Sequence, residues 1–196
     1  MFEKSITKQE INDLPLFKYE GKTVIASTEK QIDRAIFEIE EHELVGFDTE
    51  TKPTFKKGEF NHVALVQIAL PEKVYLLRIT QVGITNTLGR FLSNEKITKI
   101  GIALDDDLFA LKKRRRFIPA GFLDLNKIAP KLGIENIGAR NLSALLLKNR
   151  ISKNQQISNW ENPILSEPQI KYAATDAWIC LEIYNKLDYW GYLEED

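Results

Sequence analysis

The sequence predicts a single α/β domain built on a mixed β-sheet. Three short segments rich in β-branched and aromatic residues occur at residues 44–50, 63–70 and 74–79, and only the three residues 71–73 separate the last two. So short a connection predicts a hairpin, and the three strands are expected to form an antiparallel meander. A further apolar segment, at residues 97–104, leads directly into a helical pattern. This alternation is typical of parallel strands added to a sheet.

The length and composition are those of one globular domain. The chain has 196 residues, of which 43% are hydrophobic and 28% charged, and a chain of this size buries roughly 70% of its unfolded surface. Its longest mainly apolar run, residues 63–70, is far shorter than the ~20 residues that span a bilayer. No apolar leader opens the sequence, and Cys180 is the only cysteine. We therefore predict a cytoplasmic protein without membrane contact or disulfides.

The N-terminal part is predicted to form an arm followed by the first strand and helix. Residues 1–21 contain a short helical pattern and are expected to lie outside the main domain, which we place at residues 22–196. A small strand is expected at residues 23–26. Thr28 and Gln31 have the spacing of a capping box, and an apolar stripe at helical spacing follows them. This pattern predicts the first long helix.

The C-terminal part is predicted to be mainly helical from about residue 115 onward. Before it, one helix is expected after Asn86 and a second after the strand at residues 97–104. Ser166 and Gln169 form another capping-box pattern, which opens a long final helix over about residues 167–187. Helices placed between and after the strands are expected to cover the sheet.

Basic residues are concentrated in one part of a chain whose net charge is only −1. Residues 112–153 contain eleven Lys or Arg against two acidic residues, a local charge of +9, and the densest run is KKRRR at residues 112–116. Because the local field attracts a polyanion, this stretch favours a nucleic-acid partner. A set of solvated helix faces is the alternative explanation.

Four acidic residues and one tyrosine stand at positions suited to chemistry. Asp48 and Glu50 lie two apart on a predicted strand and so point to the same face. Asp107 ends an acidic triplet where a strand meets a helix, and Tyr172 and Asp176 lie four apart on the final helix, on one face. Carboxylate oxygens suit Mg²⁺ or Mn²⁺. Taken singly, these acids also fit a polar strand end, a helix N-terminus and a buried hydrogen bond.

Three segments together resemble a known family. FDTET at residues 47–51, GIALDDDLFAL at residues 101–111 and YAATDA at residues 172–177 resemble, in this order, the three motifs of the DEDDy 3′–5′ exonuclease superfamily. The resemblance is closest to the exonuclease domain of the Werner syndrome helicase and its stand-alone bacterial relatives, with ribonuclease D next. It extends over about residues 22–190 and includes an SNW element that ends at Trp160.

The resemblance implies a ribonuclease H-like fold, in which three antiparallel strands are extended by parallel strands and helices cover both faces. It implies two divalent metal ions, Mg²⁺ or Mn²⁺, and release of nucleoside 5′-monophosphates from the 3′ end of DNA or RNA. Because the sequence has no GxGxxG or Walker-type loop, no small-molecule organic cofactor is predicted. The implied catalytic residues are Asp48, Glu50, Asp107, Tyr172 and Asp176, of which the four acids bind metal. Tyr172 is a poor base near pH 7 and is expected to orient the attacking water.

Several points of this interpretation stay open at the level of sequence. The second motif is placed on Asp107, but Asp105 and Asp106 are one or two residues away in the same triplet. The alternative function is a catalytically inactive nucleic-acid-binding module with the same fold. DNA and RNA are both possible substrates, and no oligomeric state is predicted.

Further residues are predicted to contact the substrate strand. The cations are Arg140, Lys148, Arg150 and Lys153 in the basic stretch. Thr49 and Gln67 lie beside the acidic strand and are expected to position the terminal nucleotide. Trp160 is a candidate for base stacking, although a buried structural role is the more common one for tryptophan.

Overall fold

A six-stranded mixed β-sheet forms the centre of the computed structural model, which describes residues 2–56 and 58–193. The strands are β1 (Lys22–Ala26), β2 (Leu44–Thr51), β3 (Val63–Ala69), β4 (Lys73–Arg78), β5 (Thr98–Gly101) and β6 (Phe122–Asp124). The helices are α1 (Lys8–Asp13), α2 (Glu29–Ile39), α3 (Ile79–Val82), α4 (Asn86–Leu92), α5 (Leu104–Arg114), α6 (Leu125–Ile128), α7 (Ala139–Leu142) and α8 (Glu167–Tyr189). The strand order is β1-β4-β3-β2-β5-β6.

The middle of the sheet is the antiparallel meander that the sequence predicts. β2 pairs with β3, and β3 pairs with β4, both antiparallel. The β3–β4 turn is closed by a hydrogen bond of 2.8 Å from the Leu70 N–H to the Lys73 carbonyl. β1 adds to β4, β5 to β2 and β6 to β5, all in parallel. The prediction of three antiparallel strands extended by parallel strands is therefore confirmed.

Helices cover both faces of the sheet, also as predicted. On one face, α2, α4 and α5 share a hydrophobic core with Val45 and Phe47 of β2. α8 packs on the other face, against β2, β3 and β4. Because side chains alternate along a strand, the residues between and after these two, Gly46, Asp48 and Glu50, point toward α8.

Gly46 allows α8 to approach β2 very closely. A Cβ atom built on Gly46 would lie 2.1 Å from the carbonyl oxygen of Ala177, far inside van der Waals contact. Only glycine leaves room for backbone at this distance. The close approach brings Asp176, the residue before Ala177, to the strand that carries Asp48.

Both predicted capping boxes are present. Thr28 and Gln31 cap α2, and Ser166 and Gln169 cap α8, in each case with reciprocal bonds between side chain and backbone. These bonds satisfy N–H groups that a helix start otherwise leaves unpaired. α8 ends at Tyr189, slightly beyond the predicted end.

The strand predicted at residues 97–104 is shorter than expected. β5 ends at Gly101, because Ala103 adopts the left-handed backbone conformation (φ 62°) and breaks the extended chain. The Asp124 carboxylate accepts hydrogen bonds of 2.9 Å and 3.0 Å from the N–H groups of Ala103 and Leu104. The Asp124 carboxylate, which comes from β6, thus takes the place of a capping side chain at Ala103, and α5 begins at Leu104.

The prediction of a mainly helical C-terminal part is only partly right. It misses β6, a strand of three residues that is too short to show a pattern and depends on pairing with β5. It also misses the irregular segment between the π-helical turn Ser143–Leu147 and α8, where the described chain forms turns and one isolated bridge from Arg150 to Leu16.

The N-terminal arm packs against α8 and the irregular segment. The Tyr19 N–H donates a hydrogen bond of 2.9 Å to the Thr175 hydroxyl, and the Phe17 ring stacks on Trp178 with centroids 5.0 Å apart. α1 carries its own capping box, from Thr7. The division of the chain into an arm and a domain from residue 22 stays a prediction.

Within the described ranges, the helices are all either too short or too polar to cross a bilayer. The cytoplasmic location suggested by the sequence stays a prediction.

Candidate active site

Three carboxylates meet where β2 passes under α8. Asp48 and Glu50 come from the end of β2, and Asp176 comes from the middle of α8. One carboxylate oxygen from each lies within 4.8 Å of the other two. An oxygen-only donor set of this size fits a hard divalent cation such as Mg²⁺ or Mn²⁺.

Burial and mutual repulsion make this carboxylate cluster hold protons in the absence of a cation. Burial raises the pKa of Asp176 to about 7, and the same cause raises the pKa of Asp48 well above its usual range, with repulsion from Asp176 adding to it. The pKa of Glu50, a residue only 8% exposed, is raised by burial and by the charge of Asp48. Three such groups cannot all ionise at close range unless a cation compensates their charge. The donor set therefore fits a divalent metal ion on electrostatic as well as geometric grounds.

This electrostatic arrangement predicts opposite pH dependences for the metal-free and the metal-bound protein. A carboxyl group whose pKa is higher in the folded than in the unfolded chain binds extra protons in the folded state. The free energy of unfolding of the metal-free protein should therefore fall as pH rises from about 5 to about 8. Mn²⁺ requires deprotonated ligands, so the stabilisation it gives should grow over the same range. Melting temperatures measured with Mn²⁺ and with EDTA, at about pH 5.5 and about pH 8, test both trends. Equal Mn²⁺ shifts at the two pH values would contradict the prediction.

Asp107 lies near this carboxylate cluster and is hydrogen-bonded to Thr49, the residue between Asp48 and Glu50. Thr49 points to the opposite face of β2 from Asp48, and its hydroxyl donates a hydrogen bond to the Asp107 carboxylate in the first turn of α5. Burial raises the pKa of Asp107 to about 6, and the hydrogen bond from Thr49 opposes that rise. Asp105 is instead exposed and forms an ion pair of 2.7 Å with Lys127. Among these acids, the geometry favours Asp107 in the second motif.

Tyr172 lies one helical turn before Asp176 and lines the same cleft. Its pKa is raised above the ordinary value by burial and by the charges of Asp176 and Glu50, so the phenol keeps its proton and can donate a hydrogen bond. The Trp160 ring packs against Tyr172, with centroids 5.9 Å apart. Trp160 itself is 0% exposed, so it supports the Tyr172 ring and offers no surface on which a base can stack.

The carboxylates face a cleft of about 480 Å³ with cations at its edge. Arg140 and Lys153, two of the predicted substrate contacts, line this cleft. Arg140 donates a hydrogen bond of 2.6 Å to the side-chain oxygen of Asn12, which fixes its guanidinium near the arm. The positive charge of Lys153 lowers the pKa of Asp176 and partly opposes the effect of burial.

The other two predicted cations do not line the cleft. Lys148 forms an ion pair of 3.2 Å with Glu3 and lines a separate groove beside Glu182. The Arg150 guanidinium donates a hydrogen bond of 2.9 Å to the Leu14 carbonyl and so holds the arm. Two of the four predicted cations therefore lie outside the cleft, and their contact with the substrate strand stays a prediction. Spacing along an irregular segment does not reveal which way each side chain points.

Gln67 occupies an unusual position directly opposite Asp48 across the β2–β3 pair. It is 0% exposed, and neither its amide nitrogen nor its amide oxygen has a hydrogen-bond partner among the described residues. Gln67 exposes no surface that a substrate could contact. Instead of the predicted contact with the terminal nucleotide, Gln67 forms a buried polar group beside Asp48. A buried amide without partners normally destabilises a protein.

Gln67→Met is therefore expected to raise the free energy of unfolding of the metal-free protein by about 1 kcal/mol, since methionine fills the space without polar groups. Urea unfolding in EDTA measures the change. Leu65→Met is the matched control, because Leu65 lies opposite Glu50 on the same strand and face and carries no amide to remove. A loss of stability in Gln67→Met alone would show that the amide has a partner, such as an ordered water.

Sequence reasoning missed several residues at or near the cleft, among them two that line it and one that holds a neighbouring helix. Lys8 of the arm and Gln156 of the irregular segment both line it. Asp124 holds the start of α5 and so the position of Asp107. Lys8 is far from every motif, and no pattern in the sequence connects it with the site. Gln156 and Asp124 lie in segments that resemble the family, and this was the only signal available for them.

Paired carboxylates on a central strand, a third carboxylate on a crossing helix and cations at the cleft edge define a class of protein with a divalent-metal site that faces an anionic ligand on a mixed α/β sheet. The sequence model of the 3'-5' exonuclease family matches residues 23–189. The chain belongs to this family.

Individual relatives agree with this assignment. The mouse bifunctional 3'-5' exonuclease/ATP-dependent helicase WRN is 31% identical over an alignment of 197 positions, which covers 94% of this chain and 14% of WRN. The EXO domain of Nibbler from Aedes aegypti superposes with a TM-score of 0.80 at 22% identity, over 88% of this chain and 91% of that one. RNase D of Escherichia coli, an exoribonuclease involved in structured RNA processing, gives a TM-score of 0.74 at 21% identity, over 88% of this chain and 47% of that one.

These structural matches confirm the predicted ribonuclease H-like fold. The chain spans less than half the length of the first curated relatives it matches. The activities of those longer proteins are therefore transferred to this chain only as a proposal.

Proposed function

We propose that this protein is a metal-dependent 3′–5′ exonuclease that hydrolyses phosphodiester bonds from the 3′ end of single-stranded or 3′-accessible DNA or RNA and releases nucleoside 5′-monophosphates. The observation that carries the proposal is the cluster of Asp48, Glu50 and Asp176, whose oxygens lie within 4.8 Å of one another in a cleft with Arg140 and Lys153. Family membership gives the direction of degradation.

The four acids would hold two divalent ions. Asp48, Glu50 and Asp176 form one donor set. Asp107, which accepts a hydrogen bond from Thr49, is near enough for its charge to raise the pKa of Asp48 and would assist the second ion. When bound, such ions lower the pKa of a water molecule and stabilise negative charge on a departing oxygen.

The other side chains of the cleft bind and orient the substrate. The Tyr172 O–H is protonated and faces the carboxylates, so it is placed to orient the attacking water by a hydrogen bond. Arg140 and Lys153 supply positive charge toward the phosphates. In the reaction, water oxygen forms a bond to phosphorus, the bond from phosphorus to the 3′ oxygen breaks, and that oxygen takes up a proton.

A gel time course on 5′-labelled substrates tests the proposal. Single-stranded RNA, single-stranded DNA and duplex DNA with a recessed 3′ end are incubated with Mg²⁺, Mn²⁺ or EDTA. We expect a ladder that shortens one nucleotide at a time and stops in EDTA. Intact substrates with both metals would instead support the inactive nucleic-acid-binding module. Labelled products cut at internal positions from the earliest times, without the successive steps of a ladder, would indicate an endonuclease.

A further inference from the structure

The fold divides the basic run KKRRR at residues 112–116 into two structural arginines and three unpaired cations. The Arg114 guanidinium donates a hydrogen bond of 2.7 Å to the Thr80 carbonyl, and the Arg115 guanidinium donates one of 2.8 Å to the Ile84 carbonyl. These two side chains fasten the segment between β4 and α4 to the end of α5. The other three are exposed and form no ion pair with another described residue: Lys112, Lys113 and Arg116.

Phe109 and the two unpaired lysines form the outer face of α5. Positions 109, 112 and 113 have the three- and four-residue spacing of a single helix face, and Arg116 follows just after the helix ends. The opposite face packs on β2 and β3 and carries Asp107. The outer face therefore lies on the far side of α5 from the carboxylate cleft.

Two exposed phenylalanine rings lie beside the Lys113 ammonium. Phe60, in the loop between β2 and β3, is 80% exposed, and Phe109 is 57% exposed. The Lys113 Nζ is 4.7 Å from the centre of the Phe60 ring and 4.4 Å from the centre of the Phe109 ring. Both distances are within the range of a cation–π interaction, so the ammonium holds the loop against α5. We name these two rings and the three unpaired cations the α5 surface.

The helix dipole explains only part of the α5 surface. Cations in the last turn of a helix gain about 0.3–1 kcal/mol each from the dipole, and Lys112, Lys113 and Arg114 lie in the last turn of α5. The dipole does not explain the rings, because an exposed ring forgoes the free energy that its burial would contribute. Exposed apolar groups bordered by charged groups are typical of a binding surface.

The charge and the rings together suit a nucleic acid. Lysine and arginine neutralise phosphates, and aromatic rings stack on unpaired bases. Two acids close to the surface in sequence are compensated, since Glu59 pairs with Lys56 at 3.6 Å and Asp105, at the other end of α5, pairs with Lys127 at 2.7 Å. A polyanion with flat bases is therefore the partner that uses both components of the α5 surface.

The α5 surface is too far from the carboxylates for a very short substrate to reach. Lys113 follows Asp107 by six residues, or about 9 Å along the helix axis, and lies on the other side of a helix about 10 Å wide. The separation of the two faces is therefore about 13 Å, which is the length of about four nucleotides in a duplex strand. A dinucleotide in the cleft leaves the α5 surface empty.

We propose that the α5 surface binds the part of a nucleic acid that extends beyond the nucleotides held in the carboxylate cleft. The three cations contact its phosphates, and Phe60 and Phe109 stack on its unpaired bases. This inference rests on the proposed function and narrows its substrate class to strands longer than about four nucleotides.

Two variants remove the two components of the α5 surface separately. The charge variant, Lys112→Gln/Lys113→Gln/Arg116→Gln, removes the cations and keeps the rings. The ring variant, Phe60→Ala/Phe109→Ala, removes the rings and keeps the cations. Melting temperatures show whether each variant is folded.

The matched control loses the same charge elsewhere. Lys30→Gln/Arg34→Gln/Lys96→Gln removes two lysines and one arginine that are exposed and lie outside the cleft and the α5 surface. The probes are a dinucleotide, followed by calorimetry, and a labelled single strand of about 20 nucleotides, followed by fluorescence anisotropy. All binding is measured with Ca²⁺, over a series of salt concentrations.

We expect the charge variant to bind the long strand about 10-fold more weakly or worse. The slope of log affinity against log salt should fall by about 2, because each of three lost phosphate contacts accounts for about 0.7. The ring variant should also bind the long strand about 10-fold more weakly, the size of one lost stacking contact. Both variants should bind the dinucleotide as the wild type does, and the control should resemble the wild type with both probes.

The outcomes separate the two proposals. Wild-type affinity for the long strand in either surface variant would overturn the α5 surface as a binding site. An equal loss in the control would also overturn it, because net charge alone would then explain the effect, and so would a loss of dinucleotide binding, which would place the effect in the cleft. Binding with Ca²⁺ requires no cleavage, so the absence of a ladder in the gel time course would overturn the exonuclease alone.

Discussion

Replacement of Asp48 by asparagine is expected to lower nucleotide release about 10³-fold or more. Asp48 belongs to the three carboxylates whose oxygens lie within 4.8 Å of one another, and a neutral amide removes a charge that a divalent cation needs. A loss of about 4 kcal/mol in the stabilisation of the transition state corresponds to this factor. The rate is measured on 5′-labelled single strands with saturating Mn²⁺.

The same substitution should make the metal-free protein more stable. In the folded metal-free protein, burial and the neighbouring Asp176 and Asp107 raise the pKa of Asp48, so near pH 8 folding must either bury its charge or bind a proton that the unfolded chain lacks. Its replacement by a neutral amide is therefore expected to raise the free energy of unfolding by about 1–3 kcal/mol near pH 8. A stability gain coupled to loss of activity distinguishes a metal ligand from a structural carboxylate.

Asp105→Asn is the matched control for Asp48→Asn. Asp105 is exposed, and its one ion pair among the described residues is with Lys127, so its replacement should change the free energy of unfolding by no more than about 0.5 kcal/mol and leave the rate intact. An Asp48→Asn protein with wild-type activity would contradict the assignment of the active site. A large rate loss in Asp105→Asn would move the second motif toward that end of the triplet.

Gly46→Ala is expected to destabilise the protein by about 3 kcal/mol and to weaken Mn²⁺ binding. The new Cβ would lie 2.1 Å from the Ala177 carbonyl oxygen. That atom belongs to the backbone of α8, so the overlap is relieved only if the helix moves away from β2. Such a movement separates Asp176 from Asp48. Urea unfolding in EDTA measures the first effect, and the Mn²⁺-dependent rise in melting temperature measures the second.

Gly89→Ala is a control of the same chemical size. Gly89 lies within α4, and a Cβ there would be 3.5 Å from the Arg115 side chain, which is ordinary contact. Alanine in a helix is favoured over glycine, so stability should be unchanged or rise by about 0.5–1 kcal/mol. Wild-type stability and Mn²⁺ binding in Gly46→Ala would show that α8 does not lie on β2 as described.

Local periodicity explains what the sequence could predict. The two-residue spacing of Asp48 and Glu50 placed both on one face of a strand, and the four-residue spacing of Tyr172 and Asp176 placed both on one face of a helix. The hairpin and both capping boxes are equally local. The antiparallel centre of the sheet and the helices on both faces therefore followed from short-range patterns, together with the family resemblance.

Features that depend on distant contacts could not be predicted in this way. The end of β5 is set by the Asp124 carboxylate from another strand, and β6 exists only because β5 pairs with it. The positive charge of Arg150 would suit a contact with a phosphate, but its guanidinium donates a hydrogen bond to the carbonyl of Leu14 instead. The depth at which Gln67 is buried depends on α8, more than a hundred residues later in the chain.

The contact between Gly46 and Ala177 also bears on how this protein can be regulated. Asp48, Glu50 and Asp176 are carried by a central strand and by the helix packed onto it. Such elements belong to the most stable part of a fold, so local opening does not separate these three carboxylates. We therefore expect control of activity to act on the binding of the cation, on the protons that the cation displaces, and on access of the nucleic-acid 3′ end to the cleft.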